Sequence, residues 1–348
     1  MNDSKRIEYI DAMRGFTMLL VVAHHVAAFC LGIGDYVPSI HPILCEFRMP
    51  LFFFISGFVL YKEETIWSAH YIAKFLIIKK FPVQIITTII FFLIYLKVKD
   101  ISLMEGICDD AKCGYWFTYG LFVFFCAYSV LRGVLQFFNC KSIYTDIIIL
   151  SIGFLFFVLF YVPSVLERLP ITDDWKNILS LEKWGYFLFF VIGTLFRKHF
   201  IQIQVFLDKK YILAICLATF FVSNLFYKEL VATHINLFEL AMALLGIIIV
   251  FSFFRSNQSW LTKETIIGKG LQYVGRRTLD IYLLHYLLLP VNLKEYTIAL
   301  VETPMPVLEL SITIAVALIV VVACLVISRI LCMSPILAYL LFGVKNRK

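Results

Sequence analysis

Apolar residues follow one another along this chain in long unbroken stretches, not in alternation. A membrane barrel would read as segments of about ten residues that switch polarity at every step. The stretches here are about 15–25 residues long, the length a helix needs to cross the hydrocarbon core of a bilayer. Ten are predicted, near 13–31, 43–61, 81–96, 114–131, 146–162, 184–196, 211–227, 235–254, 278–291 and 306–333. Two of them, 184–196 and 278–291, are short for a full crossing. The longest connections (62–80, 97–113, 163–183 and 255–277) run to about twenty residues, too few for a further domain. No internal repeat is evident. Residues 1–348 are therefore expected to form a single transmembrane domain of the all-α class, a polytopic membrane protein of about ten helices.

Composition strengthens that picture. Of the 348 residues, 61% are hydrophobic and 16% charged, against roughly 45–50% and 25% in soluble domains. So few charges cannot clothe a water-soluble core. The net charge of +7 would in other contexts suggest nucleic acid, but the placement of the basic residues argues for topology instead. With the N-terminus inside, 21 of the 31 Lys and Arg lie on the inner side and 8 on the outer, while Arg48 and Arg329 lie within spans. The positive-inside rule then puts both termini in the cytoplasm, with a lipid bilayer and no nucleic acid as the surroundings. The nine cysteines contain no CxxC pair, and no metal is expected. Cys108 and Cys113, predicted outside, are either a disulfide or two thiols. The N-terminal stretch is not a cleavable signal, because Asp11, Arg14, His24 and His25 interrupt its apolar run.

Ionisable groups inside a bilayer cost several kcal/mol, so each one is a candidate for function. The first span, YIDAMRGFTMLLVVAHHV, is densest in them. At 3.6 residues per turn Arg14 and His25 differ by about 20° and Asp11 and His25 by about 40°, whereas His24 points about 80° away from Arg14. Asp11, Arg14 and His25 thus share a stripe. Arg14 and His25 lie about 16 Å apart along the axis, too far for a hydrogen bond but within the span of one long substrate. Coenzyme A has that form, with phosphates at one end and a thioester at the other. Taken singly, Arg14 is equally an inner-leaflet anchor and His25 a satisfied core histidine; taken together the stripe points to function.

Other polar residues are weaker signals. Arg48 in EFRMPLFFFISGFVL enters the second span from outside, at a depth comparable with that of His25, although snorkelling or pairing with Glu46 would also account for it. Trp116 in GYWFTYGLF fits an interfacial aromatic belt or a platform for a sugar ring. Tyr282 and His285 in TLDIYLLHY are three apart and can line one groove. Glu239, inside the eighth span, needs a partner such as Asn236, water or a basic group.

With these residues in place, the chain resembles the acyltransferase 3 family of integral membrane acyltransferases. RIEYIDAMRGFTMLLVVAHHV (Arg6–Val26) is similar to that family's opening, with Asp11, Arg14 and His25 in the matching positions. FRMPLFFFISGFVL (Phe47–Leu60), Trp116–Phe117 and TLDIYLLH (Thr278–His285) follow in the family's order. The resemblance implies about ten helices and transfer of an acyl group, usually acetyl from acetyl-CoA, to hydroxyls of cell-surface polysaccharides or their lipid-linked precursors. It implies Arg14 and His25 as the essential pair, with Asp11 beside them, in a multi-pass protein of the cell membrane. In this reading His25 is a general base, Arg14 holds the CoA phosphates, and Arg48 stabilises the oxyanion or orients the sugar. Trp116, Tyr282, His285 and Glu239 complete the expected substrate-binding set. A transporter or flippase of an envelope precursor is the main rival, with the same charged residues as a relay. A polysaccharide polymerase is a third reading, weakened by the short outer loops.

Overall fold

The structure is a computed structural model, and it describes residues 7–32, 41–63, 65–225, 227–261, 265–296 and 305–343, with no side chains for 41–45, 210, 225, 227–236, 292, 294 and 296. The described residues form helices and connecting turns and include no strand. In chain order the principal helices are α1 (Glu8–His25), α2 (His41–Leu60), α3 (Ala69–Lys99), α4 (Trp116–Phe137), α5 (Ser142–Phe156), α6 (Phe187–Lys198) and α7 (Phe200–Leu207). They continue with α8 (Lys210–Leu225), α9 (Tyr227–Ser256), α10 (Ile266–Gly275), α11 (Thr278–Leu288), α12 (Pro306–Leu331) and α13 (Pro335–Phe342).

All ten apolar runs lie on helices, but not all of those helices are long enough to cross a bilayer. Six are long and apolar enough among the described residues, and seven if the bent pair Leu181–Lys198 and Phe200–Leu207 is a single span. The remaining runs fall on α2, which has 20 residues, and on the shorter α8 and α11. At 1.5 Å per residue, α11 is only about 16 Å long, roughly half the hydrocarbon thickness. Its polar residues are buried in protein, as partial crossings require: Asp280 and His285 are both 0% exposed. The chain is thus an all-α, multi-pass membrane protein.

The helices gather into two compact units, one of Met1–Ile55 with Phe200–Ser328 and one of Ser56–His199 with Arg329–Lys348. In the first unit α1 packs on α10 with almost no space between backbones. A Cβ on Gly15 would stand 2.0 Å from the carbonyl oxygen of Leu271, and one on Gly275 would stand 1.8 Å from that of Asp11. Each glycine therefore makes room for the other helix's main chain, the means by which membrane helices approach without a hydrophobic driving force. Tyr9 meets Phe251 edge-on at 6.0 Å. Phe47 lies on Gly246 and Phe54 on Phe251, so α2 and α9 run the same way. Ser328, near the end of α12, meets Asp280, near the start of α11, so those two run oppositely. Both relations are what alternate crossing demands of second and eighth spans and of ninth and tenth.

The second unit is built on aromatic packing. Phe124, Phe187 and Phe190 are wholly buried in mutual contact, and Tyr128 sets its ring edge against Phe190. Its buried Asp146 is paired: Lys198 Nζ donates to both carboxylate oxygens at 2.6 Å, and Nε2 of the half-exposed His199 lies 3.0 Å from the same carboxylate. In the loop before α4, the Asp109 carboxylate accepts from the backbone N–H groups of Ala111 and Cys113. Cys108 and Cys113 are both free thiols. Burial first, and the Asp109 carboxylate second, push the Cys113 thiol up to about 11.

Two outcomes follow from this packing. Gly15→Ala or Gly275→Ala drives a methyl group into a backbone carbonyl, which no rotamer change relieves. Each is expected to destabilise the protein by about 1–3 kcal/mol, read as a lowered melting temperature in detergent. Gly270→Ala, where nothing lies within 4 Å, should leave it unchanged. Cys113 holds its proton at neutral pH, so its alkylation by iodoacetamide should rise about tenfold per pH unit until the pH approaches its pKa. Peptide mass spectrometry against pH measures this; a plateau near pH 9 would contradict it.

Candidate functional site

The site belongs to the first unit and begins with α1. Asp11 is buried, and Arg14, one turn further, is half-buried. Arg14 Nη2 donates to Thr278 Oγ1, the first residue of α11, at 3.2 Å. The Gly15–Gly275 crossing brings that residue within reach, because Gly275 ends α10 and α11 starts three residues later. His25 is the last residue of α1. Beyond it the helix widens into a π turn, Val26–Cys30, a local form that recurs beside functional groups. The wider turn sets Phe29 parallel to the His25 ring, with centroids 5.8 Å apart and planes 20° apart.

α11 meets α1 a second time at His25. His25 Nδ1 lies 3.0 Å from His285 Nε2, and Tyr286 Oη lies 2.9 Å from His25 Nε2. His285 Nδ1 faces two backbone carbonyls, of Ile281 at 3.0 Å and Tyr282 at 2.7 Å. Carbonyl oxygens only accept, so His285 Nδ1 carries a hydrogen. A second proton on His285 would bury an imidazolium, at high cost, so its Nε2 is a bare acceptor. His25 Nδ1 must then be the donor to it. With His25 neutral, its Nε2 is the acceptor, and the Tyr286 hydroxyl donates to it. Four groups fix one direction of hydrogen bonding: Tyr286 O–H to His25, His25 N–H to His285, His285 N–H to the α11 backbone. The rings stack as they bond, with the centroid of Tyr286 4.1 Å from that of His285 and 4.8 Å from that of His25.

The two ties, Arg14–Thr278 and His25–His285, show α1 and α11 running in the same direction, as first and ninth spans of an alternating chain must. They are 11 residues apart on α1 and seven apart on α11, so the helices cross at an angle. The His24 ring lies 5.1 Å from that of His25.

The other predicted residues are spread more widely. His285 joins His25 directly. Tyr282 contributes its carbonyl to His285, and its ring lies 6.0 Å away from the imidazole. Arg48 makes no hydrogen bond to His25 or Glu46 among the described residues, and its Nη1 is buried without a partner there. Glu239 lies within electrostatic range of Glu46, which bonds to Asn224; the side chain of Asn236 lies outside the described residues. Trp116 belongs to the second unit, stacked on Tyr186 at 5.8 Å with Lys183 Nζ 5.8 Å from its ring centre. Tyr286 was not among the predicted residues. One signal pointed to it: a hydroxyl adjacent in sequence to a buried histidine. Asp280 and its partner Ser328 were likewise missed. Among the described residues no three His, Cys, Asp or Glu side chains gather to hold a metal ion.

His25 and His285 form an imidazole pair within the first unit, and Arg14 stands 11 residues before His25 on the same helix. The chain matches the acyltransferase 3 family, described as an acyltransferase domain, over residues 7–329. It belongs to that family and is a membrane acyltransferase. No curated protein and no solved structure gives a significant match.

Proposed function

We propose that this protein is an O-acyltransferase of the cell membrane. It moves an acyl group, acetyl by the family's usage, from acyl-CoA to a hydroxyl of a cell-surface polysaccharide or its lipid-linked precursor. The observation that carries the reading is the directed bond between His25 and His285. A sugar hydroxyl is a poor nucleophile until its proton is taken, and a general base supplies about 10²–10⁴ in rate. His25 is the base. His285 accepts from its Nδ1–H, which keeps Nε2 as the basic nitrogen and steadies the imidazolium once formed.

The acceptor oxygen attacks the thioester carbonyl as its proton leaves. The tetrahedral intermediate collapses by breaking the C–S bond, and the thiolate recovers the proton as CoA departs. Arg14, about 16 Å along the helix from His25, binds the phosphate end of CoA by charge-assisted hydrogen bonds. Its tie to Thr278 holds the guanidinium in place. Asp11 lies beside Arg14, and Arg48 is proposed to stabilise the oxyanion or orient the sugar. Tyr282 and Glu239 are assigned to the acceptor side.

His25→Ala should abolish acylation of the cell's surface glycans while protein level in the membrane persists, read by glycan NMR or by the mass gain of one acetyl group per sugar. A wild-type acyl content in that variant would falsify the assignment. Arg14→Gln should weaken acetyl-CoA binding by about tenfold or more, the loss of one charged hydrogen bond, in a direct binding assay with purified protein. Glycan movement across vesicles with no CoA released from acetyl-CoA would replace the enzyme with the transporter reading.

A further inference from the structure

The base described above has no open lone pair in the resting site. His25 Nε2 possesses one, and the Tyr286 hydroxyl donates into it at 2.9 Å. A sugar hydroxyl that approached His25 directly would have to displace that phenol. Displacement is costly here: Tyr286 is 7% exposed, and its ring is packed against both imidazoles. The phenol oxygen itself can accept hydrogen bonds while its proton points at His25.

We propose that Tyr286 is a catalytic residue that carries the proton from the acceptor hydroxyl to His25. The inference rests on the reading of His25 as the base. The acceptor O–H donates to Tyr286 Oη. As the acceptor oxygen bonds to the thioester carbonyl carbon, its proton passes to Tyr286 Oη and the tyrosine's own proton passes to His25 Nε2. His25 then holds two ring protons, with its Nδ1–H still donated to His285 Nε2. When the C–S bond breaks, the steps reverse: His25 returns a proton to Tyr286, and Tyr286 gives one to the leaving thiolate. Alcohol and thioester become ester and thiol, and all three side chains end in their starting states. The tyrosine never becomes a free phenolate, because loss of one proton accompanies gain of the other.

This assigns the three polar side chains different tasks. His285 is a positioning residue, acting only through His25. His25 stores the proton. Tyr286 touches the substrate and so sets which hydroxyl is selected, since only one whose hydrogen reaches Oη is activated.

The test uses inverted membrane vesicles from cells that make the protein, which carry its own acceptor, supplied with radiolabelled acetyl-CoA. Tyr286→Phe removes the hydroxyl and keeps the ring. Transfer to glycan is expected to fall about 100-fold, with unchanged protein level and unchanged acetyl-CoA binding. Wild-type transfer in Tyr286→Phe beside none in His25→Ala would overturn the relay and leave His25 as the base. Wild-type transfer in both would overturn the base as well.

Two further measurements test the relay separately, the first on the wild-type protein alone and the second without the donor. The wild-type rate in mixtures of light and heavy water should bow with deuterium fraction, because two protons move together; a straight line would overturn the relay. Diethyl pyrocarbonate attacks the bare imidazole nitrogen, so with no acyl donor present His25 should be modified about tenfold faster in Tyr286→Phe, the worth of one hydrogen bond. Equal rates, read on the peptide carrying residue 25, would show that the phenol does not occupy Nε2.

Discussion

The approach of two backbones at Gly15 and Gly275 is the contact on which the rest of the first unit depends. A methyl group on either residue would overlap the main chain of the other helix. Because neither has one, α1 and α10 lie close enough for the turn after α10 to deliver Thr278 to Arg14. That tie sets where α11 begins. Once its beginning is set, the eighth residue of α11 is His285, and it arrives at His25. Membrane helices gain nothing from hiding apolar surface from lipid, so close packing and polar ties must hold them. Here both act in sequence along the same pair of elements.

Much of this was legible in the chain itself. The apolar runs lie on helices among the described residues, and helical phase alone distinguishes His25 from His24. The stripe of Asp11, Arg14 and His25 was visible because one helix carries all three, so spacing alone decides whether they share a face. What escaped was the part made between helices. Spacing on α11 linked Tyr282 to His285 and said nothing of Tyr286, whose partner is a residue of α1. In the fold Tyr282 serves through its carbonyl, a group common to every residue and invisible to side-chain reasoning. The small residues at 15 and 275 were unremarkable singly; their significance lies in being opposite one another. Six or seven helices among the described residues are long and apolar enough to cross a bilayer, because apolar composition alone does not fix where a short helix such as α11 ends.

The two buried polar systems follow different rules. Asp146 and Lys198 neutralise one another in the second unit, which is what buried charge requires. The His25 network carries no net charge at rest and is held by donors matched to acceptors. On the proposed reading such a chain takes up one proton at His25, whereas a salt bridge that gained a proton would lose its attraction. The difference suits the first arrangement to holding structure and the second to chemistry.

The partners in the His25–His285 bond are 260 residues apart in sequence. During synthesis the first helix enters the membrane long before its counterpart exists, and a growing chain carries an unmatched imidazole through most of translation. If His25 is the base proposed above, such a polypeptide has a basic nitrogen but no aligned neighbour. Connectivity alone would then withhold reactivity from the nascent chain until the ninth apolar segment has docked.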